Sequence, residues 1–252
     1  MLTRLFSRFT LALGILALPL SGHAGQAHVA VAANFLAPMK QLAPLFEQSS
    51  GHTLVVSSGS TGKFYAQIKN GAPFDVLLAA DDETPARLMR EGDAVRTQPY
   101  AIGKLALWSA DPGKIDGTDS VLRSGAYTRL AIANPKLAPY GAAAMQVLDK
   151  LGLTDAVKDK SVIGENIGQT YQFVASGNAE IGFVALSQIT LDGKLTGGSA
   201  WQVPACTAGF PEKTAGPGGH TKLWLRLVRH ASRPGEMDDM RDGSSVMTDM
   251  SA

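Results

Sequence analysis

From residue 28 to residue 186 the chain keeps repeating one pattern: a short β-prone apolar run, a loop of small polar residues, then a stretch with helical periodicity. HVAVAANF (28–35) stops at Asn34, and Pro38 then sits where a first helical turn tolerates it. Met39, Leu42, Ala43 and Phe46 follow at the i, i+3, i+4, i+7 spacing of one helix face. TLVVSS (53–58) runs into SSGSTGK and a helix carrying Phe64 and Ile68, which Gly71 closes at the C′ position. FDVLLAA (74–80) precedes DDETPARLMREG, with acids in its first turn and Gly92 at its end. Three such units in succession imply an open, mostly parallel α/β sheet with right-handed crossovers.

A second series starts at KLALWSA (104–110). RLAIANP (129–135) leads into PYGAAAMQVLDKLG, whose Ala144, Val147, Leu148 and Leu151 share one face. KSVIGENIGQTYQFVASGNAE adds a strand, turn and helix, and EIGFVAL a further strand. The expected architecture is two α/β lobes, each an open mostly parallel sheet flanked by helices. Lobe one takes residues 25–103, lobe two residues 104–200, and residues 201–252 return toward lobe one. No linker rich in Pro, Gly or Ser separates the lobes, so the chain is expected to cross between them twice, near Tyr100–Lys104 and near Trp201–Pro204.

The N-terminus carries an address. Arg4 and Arg8 precede the apolar run FTLALGILALPL, and SGHA supplies small residues before Gly25. This is the pattern of a cleaved secretory signal peptide over residues 1–24. The run is too short to cross a bilayer, which takes about 20 residues. Its removal leaves 21 basic against 22 acidic side chains, a balance that offers no field for nucleic acid or an acidic membrane. The single cysteine, Cys206, cannot form an internal bridge, so an exported fold must stand on its core alone. Export without disulfides points to a bacterial periplasm.

In open α/β sheets, ligands lie beyond the carboxyl ends of the strands, against helix N-termini. Four loops hold that position: AANFLAP (32–38), SSGSTGK (57–63), NPKLAPYG (134–141) and GENIGQT (164–170). All supply donors, and none places a pair of acids. Taken singly each reads as an ordinary turn or helix cap; four together read as an anion site. Enzyme alternatives find little support. A Walker A loop needs glycine at 57 and Ser or Thr at 64, where this chain has Ser57 and Phe64. No G-x-S-x-G elbow occurs. His23, His28, His52, His220 and His230 lack metal-ligand spacing and read as lone exposed side chains. Lys63 reads as a solvated charge, and Tyr171 as a core aromatic.

In order, VAVAANF, SSGSTGKFYAQIKNGAPFDVLLAAD, AIANPKLAPYGAAA, GENIGQTYQFVASGNAEIGFVAL and WQVP resemble the molybdate-binding proteins of bacterial ABC uptake systems. The resemblance covers residues 28–204. It implies a two-lobed, type II periplasmic-binding-protein-like fold and a monomer that closes on a tetrahedral oxyanion. That protein hands its cargo to a membrane permease driven by a cytoplasmic ATPase. It is no enzyme and has no cofactor beyond molybdate or tungstate as ligand. Position by position, the resemblance implies contacts from Asn34, where other members use serine, with Ala33 beside it. It adds Thr61 with Ser60 adjacent, and the main-chain N–H groups of Tyr140 and Ile167. A tyrosine that some members use further on is replaced by Ala185, for which the Tyr140 hydroxyl could compensate.

The physical case agrees with the resemblance. Molybdate is a full dianion at neutral pH and asks only for donors, whereas hydrogen phosphate also offers a proton and favours a carboxylate. Charge-assisted hydrogen bonds are worth about 1.5–3 kcal/mol each, so six would give roughly 9–18 kcal/mol gross against about 8 for a micromolar complex. Two alternatives stay open: a receptor for another oxyanion such as sulfate, and a secreted α/β enzyme. After WQVPA the resemblance ends. The tail is rich in Gly, Pro, Met and Asp, and only TKLWLRLV (221–228) reads as a strand. The tail is therefore either a lineage-specific, partly disordered segment or the product of an altered reading frame.

Overall fold

The computed structural model describes residues 25–204 and the strand 221–228. The expected signal peptide over 1–24, Cys206 and the rest of the tail lie outside the described residues.

Lobe one is built on the strands β1 (Gln26–Ala32), β2 (Thr53–Gly59), β3 (Val76–Ala79), β4 (Ala94–Gly103) and β12 (Thr221–Val228), in the order β2-β1-β3-β12-β4. β1 pairs in parallel with β2 and with β3, and β12 lies antiparallel between β3 and β4. Its helices are α1 (Leu36–Ser50), α2 (Thr61–Lys69) and α3 (Glu83–Arg90), with a 3-10 turn, Ala33–Phe35, leading into α1. Val29–Ala32 are buried on both faces, as befits a strand inside a sheet covered on two sides. Phe64 and Ile68 of α2 pack with Leu77 and Leu88 on one face, and Met39 of α1 with Val31 and Leu78 on the other. Gly51 ends α1 at φ 72°, a conformation that an L side chain resists.

Lobe two holds β5 (Leu105–Ser109), β6 (Leu130–Ala133), β7 (Ser161–Gly164), β8 (Ile181–Ala185) and β11 (Ser199–Gln202), in the order β11-β5-β8-β6-β7. β6 runs parallel to β7 and β8, while β5 is antiparallel to β8 and β11. Its helices are α4 (Ser120–Ser124), α5 (Pro139–Lys150), α6 (Thr154–Val157), α7 (Ile167–Ala175) and α8 (Leu186–Ile189). A two-stranded ribbon, β9 (Thr190–Leu191) with β10 (Lys194–Leu195), stands outside the sheet. Phe183, Leu130, Ile132 and Leu148 form its solvent-free centre. Tyr171 is half-buried and stacks on Trp108, with ring centroids 5.1 Å apart.

The chain crosses to lobe two at Lys104, between β4 and β5. It returns later than the expected boundary at residue 200. Trp201 and Gln202 pair with Leu107 and Ala106, and the Val203 N–H still donates to the Leu105 carbonyl. The cause is apolar: Trp201 and Val203 are both buried in the core of lobe two. β4 carries Pro99 and sits at the edge of its sheet, where a missing N–H does least harm.

The two lobes are in contact. Ala32, Ala33 and Ala80 from lobe one share an apolar cluster with Tyr140 and Ile167 from lobe two. A Cβ on Gly168 would come within 3.4 Å of the Ala33 Cβ. This is a closed cleft.

Candidate functional site

Between the lobes lies a small pocket with an internal volume of about 10 Å³. Sites for drug-sized ligands run from about 300 Å³ upward, so no such molecule fits here. Ala32, Ala33 and Asn34 line it from the first loop, Gly59, Ser60 and Thr61 from the second, and Ala80 from the end of β3. Lobe two closes it with Ala138, Pro139, Tyr140, Asn166 and Ile167. All six residues expected from sequence are therefore brought together: Ala33, Asn34, Ser60, Thr61, Tyr140 and Ile167. Each is buried. Ala185 is fully buried and is not part of the lining.

Three helices of nine or more residues begin at the pocket. The first N–H groups of a helix have no acceptor within it, and the aligned peptides place roughly +0.5 charge at that end. Pro139 opens α5 at a position where its missing N–H costs nothing, which leaves Tyr140 as the first donor. Gly141 follows because nothing larger fits: a Cβ there would lie 2.1 Å from the Ala133 carbonyl oxygen. Asn166 caps α7 by accepting from the Gln169 N–H, so Ile167 leads that helix with its own N–H unclaimed by the cap. The Ile167 carbonyl accepts from Gln188 Nε2 at 3.2 Å, which braces the peptide from α8.

The hydroxyls are arranged to donate. The Ala80 N–H donates to Thr61 Oγ1 at 3.0 Å, which occupies the oxygen's acceptor side and leaves the hydroxyl proton to point elsewhere. Ser60 stands at the N-cap of α2 yet makes no cap bond, and its buried Oγ has no hydrogen-bond partner. An orphaned buried hydroxyl costs about 1–3 kcal/mol, which a ligand oxygen would relieve. Burial raises the Tyr140 phenol well above its ordinary value, partly opposed by a side-chain hydrogen bond with Asn34. Tyr140 is therefore a neutral hydroxyl at any physiological pH.

No charged side chain lines the pocket. Asp81 sits one residue past Ala80. Burial pushes its carboxyl up to about 6, against the pull of the Thr84 N–H and hydroxyl that donate to it. At the mouth Lys63 meets Glu165 across the cleft at 2.8 Å, so Lys63 is a paired charge rather than a merely solvated one. Among the described residues no cluster of His, Cys, Asp and Glu could hold a metal ion. His28 and His52 are half-buried rather than exposed, and His52 Nδ1 accepts from the Gly25 N–H. The arrangement offers a small dianion donors on several sides, without a nucleophile, a base or a counter-charge.

Sequence reading missed Ser187, whose Oγ donates to the Asn34 carbonyl at 2.7 Å across the cleft. Nothing local marks it, because its partner is 153 residues away. Sequence reading also missed Asn166, which caps α7 and lines the pocket; the local signal is an Asn three residues before the Gln169 N–H that it accepts from.

The family of bacterial extracellular solute-binding proteins matches residues 27–215. The chain is 58% identical over 200 residues to the molybdate-binding protein ModA of Azotobacter vinelandii, covering 79% of each chain. It is 47% identical over 192 residues to ModA of Rhodobacter capsulatus, covering 75% of each. Among solved structures, the periplasmic molybdate-binding protein of Azotobacter vinelandii superposes with a TM-score of 0.77 at 38% identity. That match covers 88% of this chain and 92% of the other.

Proposed function

Because this chain belongs to the bacterial extracellular solute-binding proteins, we propose that its cleft captures molybdate and delivers it to an ABC importer. It is a binding protein and not an enzyme, as its relatives are. One observation carries the reading: a small pocket lined by oriented N–H groups and hydroxyls, with an unsatisfied Ser60 and no formal charge. Such a lining favours an anion that needs only donors. Ala33, Asn34, Ser60, Thr61, Tyr140 and Ile167 form the cage, with main-chain donation from Tyr140 and Ile167 and side-chain donation from Asn34, Ser60 and Thr61.

Tungstate, with nearly the same shape and charge, binds in the same place. The protein works as a periplasmic monomer, needs no cofactor, and meets a membrane permease coupled to a cytoplasmic ATPase. A thermal-shift panel of molybdate, tungstate, sulfate and phosphate tests this directly. A ligand at 100 times its Kd stabilises by about 2.7 kcal/mol. Molybdate and tungstate should shift the melting temperature, and phosphate should not. A shift with sulfate alone would replace the ligand assignment.

A further inference from the structure

Four polar contacts cross the closed cleft among the described residues. The Asn34 and Tyr140 side chains hydrogen-bond, the Gly62 N–H donates to the Leu137 carbonyl at 2.9 Å, Ser187 Oγ donates to the Asn34 carbonyl at 2.7 Å, and Lys63 Nζ meets Glu165 Oε2 at 2.8 Å. Only the last carries formal charge. Its residues flank the cage: Lys63 lies two positions after Thr61 and Glu165 two positions before Ile167. The Glu165 N–H donates to Gln169 Oε1 at 2.7 Å, which fixes the backbone that presents the carboxylate. The two side chains remain 43% and 64% exposed, so the pair stands at the rim, in reach of solvent and salt.

We propose that Lys63 and Glu165 form an electrostatic latch that sets how fast the cleft reopens and keeps its mouth neutral toward an arriving anion. The proposal rests on the oxyanion reading of the cleft. Release requires the lobes to part, which breaks all four contacts. The other three carry no formal charge, so the ion pair is the one that salt can loosen. Exposed pairs are weak, and weakness suits a latch that must open each time cargo is handed on. Entry depends on the same residues. Glu165 alone at the mouth would repel a dianion, and Lys63 alone would draw it in, because charges at a cleft entrance steer association.

The test compares wild type with Lys63→Met, Glu165→Gln and the double variant, using rapid filtration with radiolabelled molybdate. At low ionic strength each variant should release molybdate about two- to fivefold faster than wild type. The double variant should be no faster than the singles, because one interaction is lost in all three. In about 1 M salt the differences should vanish. Association should quicken in Glu165→Gln and slow in Lys63→Met. Unchanged release at low salt, effects that add in the double variant, or differences that persist at high salt would overturn the latch. Small-angle scattering of the ligand-free protein gives a second readout, with a larger radius of gyration expected in each variant than in wild type. An equal radius counts against the latch. Failure of wild type to take up molybdate refutes the ligand assignment instead, and leaves scattering to judge the latch.

Discussion

Replacing Thr61 with valine keeps the shape of the side chain and removes its one polar atom. Thr61 is 1% exposed, and its Oγ1 already accepts from the Ala80 N–H at 3.0 Å. Two separate losses follow. The Ala80 N–H, on a residue 2% exposed, is left without its acceptor, a cost of about 1–3 kcal/mol to the fold. The anion loses a donor whose charge-assisted bond is worth about 1.5–3 kcal/mol, a fall in affinity of about 10- to 150-fold. Thr61→Ser keeps the oxygen and should stay close to wild type in binding. Calorimetric titration with molybdate reads the affinities, and thermal denaturation without ligand reads the stability. If Thr61→Val binds within twofold of wild type, the hydroxyl does not face the ligand. If Thr61→Ser is as weak as Thr61→Val, the methyl rather than the oxygen matters. Either result would end the donor argument at this position.

Gly62→Ala should separate binding from stability. A Cβ there would lie 3.0 Å from the Leu137 carbonyl oxygen across the cleft, while alanine inside a helix is favoured over glycine by about 1 kcal/mol. Melting of the ligand-free protein should hold or rise while titration shows weaker molybdate binding. Gly141→Ala should lose several kcal/mol of stability, because a Cβ 2.1 Å from the Ala133 carbonyl drives α5 off β6. Chemical denaturation would read this as a lower midpoint, and an unchanged midpoint would contradict the packing. Asp81 gives a pH signature. Its carboxyl is raised to about 6, so its contribution to stability is complete below about 4 and is lost as pH rises through 6. Asp81→Asn should flatten that decline by on the order of 2 kcal/mol, seen in melting temperatures across pH 4–7.

What could be read from sequence was what is local. Strands such as β1 and β3 announce themselves by apolar runs, and helix starts by the small polar loops 32–38, 57–63, 134–141 and 164–170. Those starts define the pocket, because helix N-termini and strand ends share one rim of each sheet. What could not be read was distance-dependent. Lys63 and Glu165 are 102 positions apart, and no local pattern says that the two lobes will set them face to face. β4 was obscured by Pro99 and by its polar residues, which suit an edge. The contacts of Asn34 with Tyr140 and Ser187 depend on closure itself, and closure has no sequence period.

The position of β12 bears on how the molecule comes into being. The last described strand is wedged between β3 and β4, and β4 has no other neighbour in the sheet. A chain emerging from a pore in order can finish the half spanning 104–203 while the earlier half still shows two unmet strand edges. Those edges stay exposed until residues 221–228 arrive to fill the gap, and a truncated product would carry them permanently, inviting edge-to-edge aggregation. The half made first is thus the half completed last.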